Sequence, residues 1–365
     1  MSLPLSDDLV PQALDRALAL PAPYYTDASI AALEAGAVFA RSWQLVGQVS
    51  RLAGIGDHLV TEIAGLPVIV LRSDADTLRA FHNVCRHRAG PLARCDGLGA
   101  KALRCKYHGW TYGLDGVLRS APEMAGAAGF DPGAIRLPEL ALQVWQGLVF
   151  VAAGEVPPFA EVVAGIDQRL GSPEQLAGYR FHHRSSYEIA CNWKVYVDNY
   201  LEGYHVPHVH PALNKLLDYR SYVTEVSDWH SLQFSPLESA PDLYGSGEAL
   251  YYFLYPNTML NLLPGRMQTN RVLPLGADRC RVEFDFYYAP SDDDEDGVSR
   301  RARDLAFSDE VQVEDVDICQ DVQRGLASGS YVAGRLNPLR ENALHHFQEL
   351  LRAAYRDAVA SAPAP

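Results

Sequence analysis

The chain has 365 residues, of which 48% are hydrophobic and 21% are charged, the profile of a globular protein long enough for two domains. Its formal net charge of -14 argues against nucleic acid or a membrane as a partner. No apolar run reaches the roughly 18 residues of a membrane-spanning helix, and the acidic start MSLPLSDDLV is unlike a signal peptide. Six cysteines are too few for a disulfide scaffold, so we predict a cytoplasmic protein.

Two helices are predicted at the start of the chain, over 7–20 and 28–42, and apolar residues recur with an approximately helical period in the second. Short strands with turn signals between them follow from Trp43 to about Ala153. This stretch predicts a small all-β domain. The sequence VPPF at 156–159 then interrupts the pattern.

Beyond this break, a helical stretch over 159–170 leads into a strand and then into a helix that begins at Asn192. Four further strand-forming stretches follow: SLQFSPL, ALYYFLYPNTMLNLLP, QTNRVLPLG and CRVEFDFYYAP. The acidic run SDDDEDG is expected to be a solvated loop, and helices over 298–326 and 338–358 close the chain. This order predicts an α+β domain in which a long helix lies against an antiparallel sheet.

Residues 85–110, CRHRAGPLARCDGLGAKALRCKYHGW, hold two short pairs, each with one cysteine and one histidine. The pairs are Cys85 with His87 and Cys105 with His108. Thiolates and neutral imidazoles can hold either a zinc ion or an iron–sulfur cluster. Because both pairs are mixed, the pattern favours a [2Fe–2S] cluster with two thiolates on one iron and two imidazoles on the other.

A second group of polar residues lies in NWKVYVDNYLEGYHVPHVHP, residues 192–211. If 192–205 is helical, Asp198, Glu202 and His205 share one face, because they stand at positions i, i+4 and i+7.

Pro207 is expected to end this helix, with His208 and His210 following in an extended turn. Two histidines with one carboxylate form the facial triad that binds non-haem Fe(II) and leaves positions open for oxygen. The segment therefore indicates a second, mononuclear iron site.

These motifs resemble those of a known family, the Rieske non-haem iron oxygenase α subunits. CRHRAG and CKYHGW match the Rieske fingerprint C-x-H, 17 residues, C-x-x-H. The segment 192–211 is similar to the family's iron-binding segment. YYTDASIAALEAGAVFARSWQLVG and VLPLGADRCRVEFDFYY are similar to its lead-in and its catalytic strands. The resemblance covers nearly the whole chain.

The resemblance implies a role for each residue of the two groups. The cluster ligands would be Cys85, His87, Cys105 and His108. His205 and His210 would bind the iron, and the residues with a catalytic role would be Asp198, Asn199 and Glu202. Asn199 would orient oxygen or substrate, and Glu202 would be the carboxylate that bridges the two metal centres. His208 and Cys95 fall outside the ligand spacing.

The resemblance also places the third iron ligand far downstream, in the acidic helix SDEVQVEDVDICQDVQRGL, residues 308–326. Asp315 fits the family's register there, in which glutamine and glycine residues follow at fixed distances. Glu314 and Asp317 are the alternatives.

In this family the fold is an N-terminal all-β Rieske domain followed by a helix-grip, START-like catalytic domain on an antiparallel sheet. We therefore expect a lead-in over 1–42, a Rieske domain over 43–155 and a catalytic domain over 156–365. The implied protein is a terminal oxygenase that uses O2 and receives NAD(P)H-derived electrons from a flavin and iron–sulfur reductase, with or without a ferredoxin. The implied assembly is a homotrimer in which Glu202 bridges one subunit's cluster and its neighbour's iron.

Glu202 stands where ring-hydroxylating dioxygenases usually have aspartate, which favours the choline, carnitine and betaine monooxygenase branch. A quaternary ammonium substrate suits an aromatic cage. The stretch ALYYFLYPNTML offers Tyr251, Tyr252, Phe253 and Tyr255, although strand aromatics are more often core residues.

Three alternatives remain open at this point. The first is an aromatic cis-dihydroxylating dioxygenase, since it uses the same ligands. The second is a Rieske electron carrier without catalytic iron. The third is a non-enzymatic protein with a structural zinc ion.

Overall fold

The computed structural model describes residues 7–361 apart from 64, 173, 218, 238–243, 245–246 and 291–294. The chain divides into two compact units. The first unit comprises Phe39–Val156 with Ser172–Ala177. The second unit comprises the residues up to Val38, Pro157–Gly171 and the chain from Gly178 onward. The residues up to Val38 thus group with the second unit. The boundaries 1–42, 43–155 and 156–365 stay predictions.

The first unit is built from antiparallel strands. These are Gln44–Gln48 (β1), His58–Ile63 (β2), Leu66–Arg72 (β3), Leu78–His82 (β4), Leu103–Arg104 (β5), Thr111–Tyr112 (β6), Leu118–Ser120 (β7), Glu139–Trp145 (β8) and Leu148–Ala152 (β9). A six-stranded sheet has the order β1-β9-β8-β4-β3-β2, and β5-β6-β7 form a small second sheet. Buried apolar side chains such as Ile69, Phe81 and Tyr112 form a core that includes both Cys85 and Cys105.

The second unit contains a seven-stranded antiparallel sheet. Its strands are Arg180–Ile189 (β10), Val223–Val226 (β11), His230–Leu237 (β12), Gly247–Leu254 (β13), Thr258–Leu263 (β14), Arg266–Pro274 (β15) and Cys280–Tyr288 (β16), in the order β10-β16-β15-β14-β13-β12-β11. The helices of this unit are Pro23–Thr26 (α1), Ala28–Ala37 (α2), Phe159–Val162 (α3), Ile166–Leu170 (α4), Trp193–Tyr200 (α5), Val206–Val209 (α6), Pro211–Leu216 (α7), Glu295–Ala327 (α8) and Asn342–Ala360 (α9).

The 33-residue helix α8 presents one buried face to the rest of the second unit. Its buried polar side chains recur every three or four residues, the spacing of one helical face. They include Asp304, Ser308, Gln312, Cys319 and Gln323. Helix α8 packs against α5, and Asp304 forms an ion pair with Arg266 of β15. The fold class predicted from the sequence, an all-β domain followed by a domain with an antiparallel sheet and long helices, is confirmed.

The helix predicted over 7–20 is wrong, because this segment contains only two single 3₁₀ turns, Asp7–Leu9 and Leu14–Arg16. Pro11 lacks an N–H and disfavours a helical conformation at the residue before it. Further along the segment, Leu20 N–H donates to Gln348 Oε1 of α9 at 2.9 Å. Hydrogen bonds to α9 such as this one take the place of helical hydrogen bonds within the segment.

The helix predicted over 192–205 is shorter than expected. Helix α5 ends at Tyr200, and α6 starts at Val206 with Pro207 in its first turn. Proline fits there because the first N–H groups of a helix have no intrahelical partner. Pro207 therefore begins a helix, and the prediction that it ends one is wrong.

The acidic run SDDDEDG, predicted as a solvated loop, lies partly outside the described residues, and its last three residues begin α8. No described helix combines the length and the apolar character that crossing a bilayer requires.

Candidate metal centres

Two loops of the first unit share one backbone conformation. In each loop, the cysteine N–H donates to the carbonyl five residues ahead, and the cysteine carbonyl accepts from the N–H four residues ahead. The bonds are Cys85 to Gly90 at 2.9 Å and Ala89 to Cys85 at 3.0 Å, and Cys105 to Trp110 at 2.9 Å and Gly109 to Cys105 at 3.0 Å. The loops thus form a matched pair, as the two mirrored sequence pairs suggest.

Both loops turn at a residue with positive φ, Ala89 at 56° and Gly109 at 75°. The left-handed conformation is ordinary for glycine and uncommon for alanine. Between the loops, a side chain at Gly90 would place its Cβ 2.9 Å from Cys105 Sγ. Residue 90 therefore leaves the space beside this sulfur free.

The four candidate ligands of these loops separate by burial. Cys85 and Cys105 are buried, whereas His87 and His108 are exposed with their ring centroids 4.7 Å apart. The ring of His87 stacks on Trp110. Two inner thiols and two outer imidazoles fit a [2Fe–2S] cluster with both sulfur ligands on one iron. Cys95 is exposed.

In the second unit, His205, His210 and Asp315 come together. Each offers one ligand atom, and the three atoms lie within 4.8 Å of one another. Asp315 Oδ1 is 3.0 Å from His210 Nε2 and 3.9 Å from His205 Nε2. Two imidazoles and one carboxylate in this arrangement fit the donor set of a non-haem Fe(II) site.

The other ring nitrogen of each histidine is held by a glutamate. His205 Nδ1 lies 2.6 Å from Glu202 Oε1, and His210 Nδ1 lies 2.7 Å from Glu314 Oε2. A carboxylate at Nδ1 fixes the tautomer and leaves Nε2 free to bind a metal. Glu202 also accepts the backbone N–H groups of Tyr204 and His205. Glu314, an alternative ligand in the sequence analysis, therefore stands behind a histidine.

Asn199 and Asp198 are neighbours in α5, but their side chains have different hydrogen-bond partners. Asn199 Nδ2 donates to Asp315 Oδ1 at 2.6 Å. Asp198 Oδ2 instead accepts from Tyr25 OH at 2.6 Å and from Gln348. Burial raises the pKa of Asp198 to about 7. Asn199 therefore positions a member of the triad, whereas Asp198 does not reach it.

His208 and Asp317 are both exposed, and neither belongs to the group of close ligand atoms among the described residues. His208 lies within α6, between the two histidines of the triad.

The start of α5 is anchored by a buried network that sequence reasoning did not find. Asn192 caps the helix by accepting from Lys194 N–H. Glu34 of α2 then accepts from Lys194 Nζ at 2.6 Å, from Trp193 Nε1 at 2.7 Å and from Tyr355 OH at 2.5 Å. Burial lowers the pKa of Lys194, which its pairing with Glu34 opposes. The NWK sequence was the available signal, since a buried lysine requires an acidic partner.

A pocket of about 120 Å³ opens beside the triad. Most of its wall is aromatic, amide and aliphatic. It includes Tyr196, Tyr200, Tyr222, Tyr244, Tyr251, Phe284, Phe307, Gln233, Asn261, Gln268, Asn270 and Gln312. Among the described lining residues, Arg266 alone carries a permanent positive charge, and it is paired with Asp304. The pocket therefore offers ring faces and amides without an unpaired cation.

Of the four aromatic residues singled out in ALYYFLYPNTML, Tyr251 lines this pocket. Tyr252, Phe253 and Tyr255 are buried elsewhere. Phe253 and Tyr255 pack on Phe347 of α9, with ring centroids 5.5 and 6.2 Å away. The expectation that strand aromatics are mostly core residues describes three of the four.

The sequence matches two protein families. Residues 42–139 match the Rieske [2Fe-2S] domain, and residues 176–357 match the ring hydroxylating alpha subunit (catalytic domain).

Relatives of known activity cover nearly the whole chain. Choline monooxygenase (chloroplastic) of Arabidopsis thaliana is 38% identical over 93% of this chain and 83% of its own length. The carnitine monooxygenase oxygenase subunit of Escherichia coli K12 is 30% identical over 93% of this chain and 94% of its own. A crystal structure of a quaternary ammonium Rieske monooxygenase with L-carnitine superposes with a TM-score of 0.82 at 27% identity, covering 93% of this chain and 96% of that one.

Proposed function

Since this chain belongs to the Rieske non-haem iron oxygenases, we propose that it is the terminal oxygenase of a monooxygenase system that acts on a quaternary ammonium compound. Members of this family are oxidoreductases that incorporate oxygen from O2, and they carry a [2Fe–2S] cluster and a mononuclear iron. The family predicted from the sequence is confirmed. An electron carrier and a structural zinc protein are excluded, because residues 176–357 form a catalytic domain.

The pocket beside the triad is the observation that carries the proposed substrate class. A quaternary ammonium group cannot donate a hydrogen bond, and it binds best against ring faces. Tyrosine rings line the pocket, Glu202 and Asp315 lie at its metal end, and Arg266 is neutralised by Asp304. The similarity to choline and carnitine monooxygenases supports the same class.

We assign the metal ligands from the two groups of side chains described above. Cys85, His87, Cys105 and His108 would hold the cluster, and His205, His210 and Asp315 would hold the iron. A bound mononuclear iron supplies the site at which O2 is reduced and activated.

The surrounding residues keep this iron site in shape. Glu202 and Glu314 hold the Nδ1 atoms of the two histidines, so that both Nε2 atoms face Asp315. Asn199 fixes the Asp315 carboxylate, and Gln312 Oε1 accepts from Tyr196 OH at 2.6 Å in the pocket wall. The bonds of Glu202, Glu314 and Asn199 hold the three candidate ligand side chains in these orientations.

We further propose a homotrimer in which electrons pass between subunits. Inter-subunit electron transfer has been described for the related quaternary ammonium Rieske monooxygenase. Glu202 would bridge one subunit's cluster and the neighbour's iron, and a flavin and iron–sulfur reductase would supply electrons from NAD(P)H. The six cysteines form no disulfide bond, which supports a cytoplasmic location.

The test is a turnover screen with anaerobically purified enzyme, NADH and a generic Rieske reductase. Choline, carnitine and glycine betaine form one arm, and benzoate, aniline and naphthalene form the other. We expect substrate-dependent O2 and NADH consumption with an oxidised product in the ammonium arm. Product from the aromatic arm alone, above all a cis-dihydrodiol, would favour the dioxygenase alternative.

A further inference from the structure

Three cysteines from distant parts of the sequence meet in the core of the second unit. Cys191 lies just before α5, Cys280 is the first residue of β16, and Cys319 lies in α8, one helical turn after Asp315. Their exposed fractions are 0%, 0% and 1%. Cys191 Sγ is 3.8 Å from Cys280 Sγ. None of the metal ligands assigned above is among them.

The three thiols are chemically distinct. Hydrogen bonds from Cys280 and Cys319 stabilise the thiolate of Cys191 and lower its pKa. The same interactions, with burial, raise the pKa of Cys280 and of Cys319. Cys191 is the central thiol of the group, 3.8 Å from Cys280 Sγ, and the direction of the pKa shifts agrees with the reactive thiolate forming there.

A metal site is not the best explanation of this cluster. Among the described residues, the group of cysteine, histidine and acidic side chains close enough to share one ion is the triad of His205, His210 and Asp315. The three cysteines are not among the described side chains that could share one ion. Cys191 and Cys280 instead form a close pair of thiols, with their Sγ atoms 3.8 Å apart. Two thiols at this distance can be oxidised to a disulfide.

A cavity reaches the edge of this cluster at Cys319. Cys319 lies in the wall of a cavity of about 750 Å³, together with Val322, Leu326 and Leu344. Glu202 and His205 line both this cavity and the substrate pocket. Hydrogen peroxide is close to water in size, and it forms whenever O2 takes up two electrons and two protons.

We propose that Cys191 and Cys280 form a peroxide-sensitive thiol pair, in which Cys191 reacts first and Cys280 resolves the product as a disulfide. The Cys191 thiolate attacks one oxygen of hydrogen peroxide, so that an S–O bond forms, the O–O bond breaks and hydroxide leaves. Cys280, on losing its proton, attacks the Cys191 sulfenic acid. The S–S bond forms, the S–O bond breaks, and hydroxide takes the released proton. In total, two thiols and one peroxide give one disulfide and two waters.

The geometry allows this second step with a small movement. The sulfur atoms must approach from 3.8 Å to a bonded distance of about 2.05 Å. Cys280 pairs with Ile189, the last residue of β10, and Cys191 lies two residues beyond it, outside the ladder. The backbone at Cys191 can therefore adjust without breaking a strand pairing.

The experiment exposes the purified holoenzyme to stepwise additions of hydrogen peroxide, then alkylates it and maps its peptides without reduction. We expect a disulfide-linked Cys191–Cys280 peptide pair that disappears after treatment with dithiothreitol. Cys95, which is exposed and solitary, serves as the internal standard for an ordinary thiol, and a Cys95→Ser variant should give the same disulfide. The Rieske absorption spectrum, recorded on the same sample, shows whether the protein is still loaded.

Two variants assign the roles. In Cys280→Ser the sulfenic acid cannot be resolved, so Cys191 should be labelled by dimedone and the disulfide should be lost. In Cys319→Ala the disulfide should form more slowly, because the variant removes one hydrogen-bond donor to the Cys191 thiolate. Unmodified Cys191 and Cys280 in wild-type protein, at a peroxide concentration that fully oxidises Cys95, would overturn the proposal and leave the cluster as inert packing.

Discussion

Glu314 accepts a hydrogen bond from His210 Nδ1 at 2.7 Å, while Asp315, its neighbour in α8, lies 3.0 Å from Nε2 of the same ring. Two consecutive acidic residues therefore hold the two nitrogens of one imidazole. They leave the helix about 100° apart, so they approach the ring from two sides. One of them is placed to bind a metal and the other to fix the ring.

This relationship predicts that Glu314→Gln weakens iron binding without removing the iron ligands. The variant loses the negative charge behind His210, and loss of such outer partners typically costs about 10- to 100-fold in metal affinity. Anaerobic Fe(II) titration of the apo protein measures this loss. Asp317→Asn, which changes an exposed acid of the same helix, should bind Fe(II) as the wild type does. Equal affinities in both variants would contradict the role assigned to Glu314.

The assignment of the triad predicts which variants lose the mononuclear iron. His205→Ala, His210→Ala and Asp315→Ala should each retain the red cluster and lose catalytic iron, because each removes one of the three close ligand atoms. Iron and acid-labile sulfide analysis distinguishes the two metal centres. His208→Ala is the control and should keep both. An inactive His208→Ala beside an active His210→Ala would reverse the two histidines.

The cluster assignment predicts variants that lose the [2Fe–2S] cluster and keep the mononuclear iron. His108→Ala should lose the Rieske optical and EPR spectra, because an imidazole is half of the protein ligand set of one cluster iron. Fe(II) binding at the triad should remain, since that group lies in the other unit. Cys95→Ser is the matched control within the same segment and should leave the spectrum intact. An unchanged spectrum in His108→Ala would remove this residue from the ligand set.

Glu202→Gln should separate metal binding from turnover. Glutamine can still accept from a backbone N–H but carries no charge to attract His205 Nδ1–H. We expect a reducible cluster, most of the mononuclear iron and turnover that is slower by about tenfold or more, the scale of such outer-partner losses. Single-turnover mixing with O2 and substrate should locate the delay between the reduced cluster and the iron.

Mixed trimers give an independent check of the proposed bridge. Subunits that lack His108 and subunits that lack His205 should together recover some activity, since an intact cluster can face an intact iron across one interface. If verified mixed trimers stay inactive, electron transfer between subunits is not the route.

Asp198 predicts a pH dependence of stability. Burial raises its pKa to about 7 in the folded chain, compared with about 3.9 in an unfolded one. The folded state therefore binds this proton more tightly. The contribution to stability is fully present below about pH 4 and is lost as the pH rises to about 7. Asp198→Asn removes the charge, so its Tm should exceed that of the wild type by a margin that grows from about pH 4 to about pH 7 and is constant above it. Glu310→Gln, an exposed change, should show no such trend.

The sequence predicted which candidate ligands lie together better than it predicted the conformation of the chain around them. Cysteine and histidine spacing is local, so residues 85–110 could be interpreted without knowing the fold. The contact between Glu202 and His205 was expected from one turn of a continuous helix. It is present, but α5 has ended at Tyr200, and Glu202 reaches His205 by accepting two backbone N–H groups.

Contacts between distant segments were not predictable from spacing. Asn199 meets Asp315 across 116 residues, and Cys191 meets Cys280 across 89. Each depends on how α5, α8 and β16 pack. The helix predicted over 7–20 was wrong for the same reason, because several backbone groups of this segment bond to distant residues, such as Leu20 to Gln348 and Ala19 to Gly334.

Helix α8 also sets a length scale. Asp315, at the triad, and Asp304, paired with Arg266 of the pocket wall, are separated by 11 residues of one uninterrupted helix, or about 16 Å at 1.5 Å per residue. Because a helix keeps its rise per residue, this spacing fixes the separation along α8 between the triad and the ion pair that includes Arg266, a residue of the pocket wall. In a series of trimethylammonium compounds with growing alkyl chains, turnover should persist as long as the compound fits between the triad and Arg266. It should then fall abruptly, since a longer molecule would have to separate Arg266 from Asp304.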